Sequence, residues 1–176
     1  CNSGYLCAML RWTRPLWPWL LLVGCGGTEQ EELCKTVFVP YPDMISDRAR
    51  THLNATYLDG MAVYSSGAYE DARDSLSKFL VVQRADLTGY MYLACTYLAL
   101  GDPDKAELQL DHLDRANVLH YDDQIDWYRV VCWVCGGQFD RARKGAERIA
   151  EGRAHTYRTE AKKLLKQLPT KQVDEP

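Results

Sequence analysis

Gly67, Tyr69 and Ala72 are echoed at the same internal spacing by Gly101, Pro103 and Ala106, and again by Gly137, Phe139 and Ala142. The offset is 34 residues, then 36. A unit recurring at this period is a supersecondary element that buries its apolar face on its neighbours, so a repeat architecture is expected. Each residue type has a physical role. Glycine tolerates the left-handed conformation that closes a helix. Tyr69 or Phe139 starts the next helix and packs back into the groove between the two. In the middle copy Asp102 caps the helix and Pro103 stands in its first turn, where a missing N–H is harmless. The alanine lies where paired helices come closest.

The flanking segments have helical periodicity. Helices are predicted at about 46–65, 70–83, 87–100, 103–116, 121–135, 139–151 and 155–168, with no sustained strand-like alternation. Leu76, Phe79 and Leu80 form one apolar stripe, and Leu93, Tyr97 and Leu100 another. Connections are short enough to force antiparallel neighbours.

This unit resembles the tetratricopeptide repeat. The resemblance implies an all-α fold: a right-handed α-solenoid of about three helix-turn-helix repeats, at about 53–86, 87–120 and 121–154. Gly60 and Ala94 stand where that family prefers a small residue in the first helix, and Tyr97 and Trp133 stand at its first-helix aromatic position. The third copy departs, because Val130 replaces the small residue and two extra residues precede it, so a slightly displaced third pair is expected. Residues 155–168 read as a capping helix, with Tyr157, Ala161, Leu164, Leu165 and Leu168 inward and Arg158, Lys162, Lys163 and Lys166 in water. The tail 169–176 is expected to be disordered.

Members of that family generally bind proteins in the concave groove lined by the first helices. Carried over by position, the groove holds Asn54, Tyr57, Met61 and Tyr64, then Thr88, Met91, Cys95 and Leu98, then Gln124, Trp127, Val131 and Val134. It is apolar and aromatic and lacks the basic residues of the carboxylate-clamp members. The implied partner is a peptide or helix of another protein, or a second copy, with Tyr57, Tyr64, Met91 and Trp127 as the contact surface. Replacing Tyr64 and Trp127 by alanine is then expected to abolish capture while helicity persists. The lead-in KTVFVPYPDMIS, residues 35–46, is held extended by Pro40 and Pro42. Phe38 and Tyr41 are expected to pin it against the first repeat, with Asp43 or Ser46 capping the first helix. Whether it fills the groove of its own domain is open at this stage.

The N-terminus carries an address. Residues 1–8 look like upstream translation or a fragment edge, and Met9 is a plausible start. Arg11 and Arg14 precede an apolar run from Leu16 to Val23, the order of a secretory signal over 9–24. That run is far below the roughly 20 residues that span a membrane. Leu22-Val23-Gly24-Cys25 resembles the bacterial lipobox, which implies lipid attachment at Cys25. Residues 25–45, including the acidic cluster from Glu29 to Glu32, then read as a tether and extended lead-in. The location implied is the cell envelope, on the periplasmic face of the outer membrane, with membrane contact through the lipid.

The net charge of −3 argues against a nucleic-acid partner. Charge is uneven, with eight acidic and two basic residues from Asp102 to Asp126, and nine basic and four acidic from Asp140 to Lys166. These faces offer an alternative role as a structural subunit of an envelope assembly. Cys132 and Cys135 form a CxxC that invites a thiol or metal reading. Its mid-helix position and the lack of a second pair favour buried, inert thiols. A disulfide among Cys34, Cys95, Cys132 and Cys135 remains open. No catalytic constellation, metal spacing or cofactor motif is present, so the reading is a non-enzymatic adaptor.

Overall fold

The computed structural model describes residues 28–116, 121–152 and 154–169. Among them the secondary structure is entirely helical: α1 (Glu29–Val37), α2 (Ala55–Ser65), α3 (Tyr69–Val82), α4 (Leu87–Ala99), α5 (Pro103–Arg115), α6 (Asp122–Cys135), α7 (Phe139–Glu151) and α8 (Arg158–Gln167). The signal segment expected at 9–24, the expected lipid site Cys25 and the tail 170–176 lie outside the described residues, as do 117–120 in the connection before α6.

The recurrent glycines do the same thing three times. Gly67, Gly101 and Gly137 have φ of 81°, 76° and 71°, the left-handed region. At each, the glycine N–H reaches back three residues (to the carbonyls of Tyr64, Leu98 and Val134) and the next N–H reaches back five (to Val63, Tyr97 and Trp133). This closes the orphan carbonyls of α2, α4 and α6 and turns the chain into the following helix. Asp102 accepts from the Lys105 amide, with Pro103 in the first turn of α5. Ala72, Ala106 and Ala142 are fully buried. Tyr69 and Phe139 are half-buried against the core.

From α2 to α8 each helix packs on its chain neighbours, and α2 touches α4 while α4 touches α6, so the first helices form a row. The central helix α4 buries Met91, Tyr92, Leu93, Ala94, Cys95, Thr96 and Leu98, which leaves it almost without a polar face. The Thr96 hydroxyl is satisfied by donating to the Tyr92 carbonyl at 2.7 Å. In α8, Ala161 and Leu164 are buried, as is Leu168 just after it, and Arg143 donates to the Leu168 and Pro169 carbonyls.

The third pair shows how its missing small residue is replaced. In the first pair a Cβ on Gly60 would lie 3.2 Å from Ser75 Cβ. In the third, Val130 occupies the equivalent place, and the small residue has moved to the facing helix. A Cβ on Gly145 would lie 2.6 Å from Val130 Cγ2 and 2.8 Å from Trp133 Cζ3. Gly145→Ala is therefore expected to cost about 1–3 kcal/mol of stability by overpacking. In urea melts, Val130→Ala in the same chain should recover part of that loss, because it removes the wall. Simple additivity of the two costs would contradict the exchange.

Three expectations are corrected. The acidic cluster is not tether but the first turn of α1, where Thr28 and Glu31 form a reciprocal capping box and Glu29, Glu31 and Glu32 suit the positive end of the helix. The helix predicted at about 46–65 begins at Ala55. Residues 46–54 turn instead, because the Asn54 side chain accepts from the Thr51 amide at 2.7 Å and donates to the Ala49 carbonyl at 2.9 Å. Asp43 does not cap this helix; it closes a tight turn by accepting from the Ile45 and Ser46 amides and the Ser46 hydroxyl.

Candidate functional site

The inner face of the helix row is occupied by the protein's own chain. After α1, residues 38–44 run as a strap without helix or strand across α6, α4 and α2. Pro40 and Pro42 keep Val39 and Tyr41 extended and remove two backbone donors. The strap therefore presents mainly carbonyls, and the face beneath it presents hydroxyls. Tyr128 of α6 donates to the Val39 carbonyl at 2.8 Å. Tyr92 of α4 donates to the Pro42 carbonyl at 3.0 Å and accepts from the Met44 amide at 2.9 Å. Tyr64 of α2 donates to the Tyr41 carbonyl at 2.8 Å. Burial raises the pKa of all three phenols, so they remain donors through the ordinary pH range.

Tyr41 is the central anchor. Its ring packs on Tyr92 at 5.8 Å and edge-on to Tyr128 at 6.3 Å. Burial raises the pKa of its hydroxyl above the ordinary value, opposed by the nearby Gln124 side chain. Cys95 lies beneath, fully buried, with its thiol pushed up to about 12 by burial against the opposing hydrogen bonds of the Tyr41 backbone and the Tyr64 and Tyr128 hydroxyls. Tyr41 thus engages the second and third pairs rather than the first alone. The far end of the strap is fixed by Ser65, at the end of α2, which donates to Asp43 at 2.7 Å.

The near end is covalent. Cys34 of α1 is bonded to Cys135, the last residue of α6, and Gln30 donates to the Cys135 carbonyl. Leu33 and Val37 bury the inner side of α1, which packs on α6 and α8. The reading of the CxxC as two inert thiols is therefore half corrected: Cys132 is free and buried, whereas Cys135 is in a disulfide with a partner 101 residues away.

The residues assigned to the groove from sequence fall into two sets. Tyr64, Cys95 and Gln124 meet the strap. Met61, Met91, Val131, Leu98 and Val134 are buried core. Tyr57 stacks on Phe79 of the paired helix at 4.2 Å, and Trp127 stacks on Tyr157 at 5.5 Å. Thr88 shares a hydrogen bond with Tyr121 at 2.8 Å. Asn54 belongs to the turn before α2. Two working residues were missed, Tyr92 and Tyr128. A signal for them exists: each stands nine residues before its repeat glycine, the place Leu58 fills in the first copy.

On the outer surface, part of the acidic charge is neutralised internally. Arg129 reaches Asp111 at 3.0 Å and Asp114 at 3.1 Å, and Arg141 reaches Glu107 at 3.1 Å while covering the Trp133 ring. Among the described residues no group of three or more His, Cys, Asp or Glu could hold a metal ion, and no helix is long and apolar enough to cross a membrane. Comparison of the chain with protein-family models, with curated proteins and with solved structures found no match in any of the three.

Proposed function

We propose that this protein is a non-enzymatic interaction module whose inner face binds an extended, proline-bearing segment of polypeptide. The helix pairs are read as tetratricopeptide-like repeats in a short right-handed solenoid, supported by the three equivalent glycine turns and their spacing. The observation that carries the functional reading is the set of three phenol hydroxyls, one from each first helix, donating to the strap carbonyls of Val39, Tyr41 and Pro42. Aromatic-lined grooves that hold extended proline-rich chain use this chemistry, since the ligand brings little conformational entropy to lose. The signal-like segment and the lipobox-like Cys25 support a lipid-anchored adaptor of the bacterial envelope. With α1 starting at Glu29, only residues 26–28 separate that cysteine from the folded domain.

The test is a full chain in which residues 38–44 are replaced by a Gly/Ser segment of equal length, leaving Cys34 and the chain length intact. A fluorescein-labelled peptide TVFVPYPDMI is expected to bind this cleared groove. Changing Tyr64, Tyr92 and Tyr128 to Phe in the same background should weaken binding at least about tenfold, since each hydroxyl contributes about 0.5–1.5 kcal/mol. A helical, cleared protein that ignores the peptide at millimolar concentration would sink this reading.

A further inference from the structure

We propose that the Cys34–Cys135 disulfide gates the inner groove: its reduction by a dithiol frees the strap and admits, in trans, a tyrosine-centred, proline-spaced extended segment of another protein. This rests on the reading of the inner face as a peptide groove.

The strap is restrained at two ends of different kinds. At one end it continues as backbone into the turn before α2, and Asp43 is tied to Ser65. At the other it ends in α1, which buries only Leu33 and Val37 and is fastened to α6 by the disulfide. With the bond closed, an incoming chain has to displace a segment anchored on both sides. With it open, the competitor is a singly tethered peptide held by the three tyrosine hydroxyls, the Asp43–Ser65 hydrogen bond and the Tyr41 ring, with α1 retained only by Leu33, Val37 and the Gln30 hydrogen bond. Such a tether presents its ligand at a finite effective concentration, in the millimolar range for short flexible linkers, which an external chain of like chemistry can exceed in effect if it binds more tightly.

The two bonded cysteines are the less buried ones. Cys34 and Cys135 are half-buried at the edge where α1 meets the end of α6, whereas Cys95 is 0% and Cys132 2% exposed. Cys132 sits one helical turn before Cys135, but burial raises its thiol well above the ordinary range, so it supplies little thiolate for exchange. The reductant is therefore external. One thiolate of the dithiol attacks a sulfur of the pair, forming a mixed disulfide and releasing the other cysteine as a thiolate that takes up a proton. The second thiol of the reagent, losing its proton, then displaces the remaining cysteine. The dithiol leaves oxidised as its own disulfide, and its two electrons reside on Cys34 and Cys135 as two thiols.

The occupant's chemistry is read from the strap itself. The groove offers hydroxyl donors to the carbonyls at positions 39, 41 and 42, an aromatic slot between Tyr92 and Tyr128, and the Gln124 side chain beside that slot. A segment with carbonyls free of competing N–H groups and a tyrosine at its centre satisfies all of these.

The experiment titrates the labelled TVFVPYPDMI peptide into three forms of the full chain: oxidised wild type, wild type reduced with dithiothreitol, and Cys34→Ser without reductant. Chymotrypsin cleavage after Phe38 is followed in parallel; the bond after Tyr41 precedes Pro42 and resists the enzyme. The expected result is that the reduced and Cys34→Ser proteins bind the peptide at least about tenfold more tightly than the oxidised one and are cut faster in the strap. Cys132→Ala should behave as wild type. If the reduced and Cys34→Ser proteins exclude peptide and protease as well as the oxidised form does, while the Gly/Ser-strap chain binds, the gate is overturned and the groove reading survives. The gate is equally overturned if oxidised wild type binds as tightly as Cys34→Ser. If the Gly/Ser-strap chain fails as well, the groove reading itself has failed and the gate goes with it.

Discussion

Replacing Tyr64 and Trp127 by alanine together is expected to unfold this protein. The sequence suggested the opposite outcome, lost capture on an intact scaffold, because both residues lie on the face assigned to a partner. In the structure each is 4% exposed. Tyr64 packs edge-on to Tyr69 and Tyr92 and holds the strap, and Trp127 stacks on Tyr157 at the opposite end of the row. Truncating a buried aromatic to alanine costs about 3–5 kcal/mol through lost burial and the cavity left behind. The two sites share no partner among these contacts, so the costs should nearly add. The sum is comparable with the whole stability of an ordinary domain, about 5–15 kcal/mol. Far-UV circular dichroism and urea titration would show this as loss of helicity or a midpoint shifted close to zero urea. A double variant that keeps wild-type helicity and midpoint would mean the inner face is not packed as described. For this reason the hydroxyls, not the rings, are the proper targets for functional variants, and Tyr→Phe keeps the packing.

The second large effect concerns the disulfide. Changing Cys34 and Cys135 to Ser is expected to lower stability by about 2–5 kcal/mol. The bond closes a loop with a sequence separation of 101 residues. In the chain-entropy account a loop of that size restrains the unfolded ensemble by about 4.7 kcal/mol, and measured values usually fall below the model. Reduction of wild type should give a similar loss, and Cys132→Ala, which touches no bond, should leave the effect of reduction unchanged. Equal urea midpoints for oxidised wild type and the double serine variant would show that Cys34 and Cys135 are not joined.

What the sequence made legible was local. The three glycine turns, the helices they separate and the buried alanines could be read because each depends on residues within one or two turns of one another. The exchange of a small residue from the Gly60 position to Gly145 could not, since it links two helices through a contact that periodicity does not encode. Helix α1 was hidden by its composition, as an acidic cluster after two glycines has the look of a tether. Thr28 followed by Glu31 was nonetheless a capping-box signature in plain view. The early start placed on the first repeat helix failed because Asn54 offers its side chain to the preceding backbone, a competition that apolar spacing does not register.

The inner face was legible as a face but not as an occupied one. Cys95, Tyr64 and Gln124 were identified, while Tyr92 and Tyr128, one position along the helix from Met91 and Trp127, were passed over. Their shared register, nine residues before a repeat glycine, becomes meaningful only once a carbonyl-rich strap lies above them. The pairing of Cys34 with Cys135 has no local signature, because it depends on the chain returning to the far end of α6. The outer charges were read as two opposed faces, and the structure shows Arg129 and Arg141 already pairing part of the acidic one. The Arg141 pair, with the arginine largely in water, adds little to stability.

In the oxidised protein the strap lies in the inner groove. Hydrogen–deuterium exchange over residues 38–45 in the native oxidised chain tests this most directly. The Met44 amide donates to a buried tyrosine hydroxyl and the Tyr41 backbone meets the buried Cys95 thiol. Both amides are predicted to exchange slowly, with protection comparable to that of α4 and α6. Exchange of this segment at the rate of free chain, with α4 and α6 still protected, would contradict the account and return the inner face to an open groove.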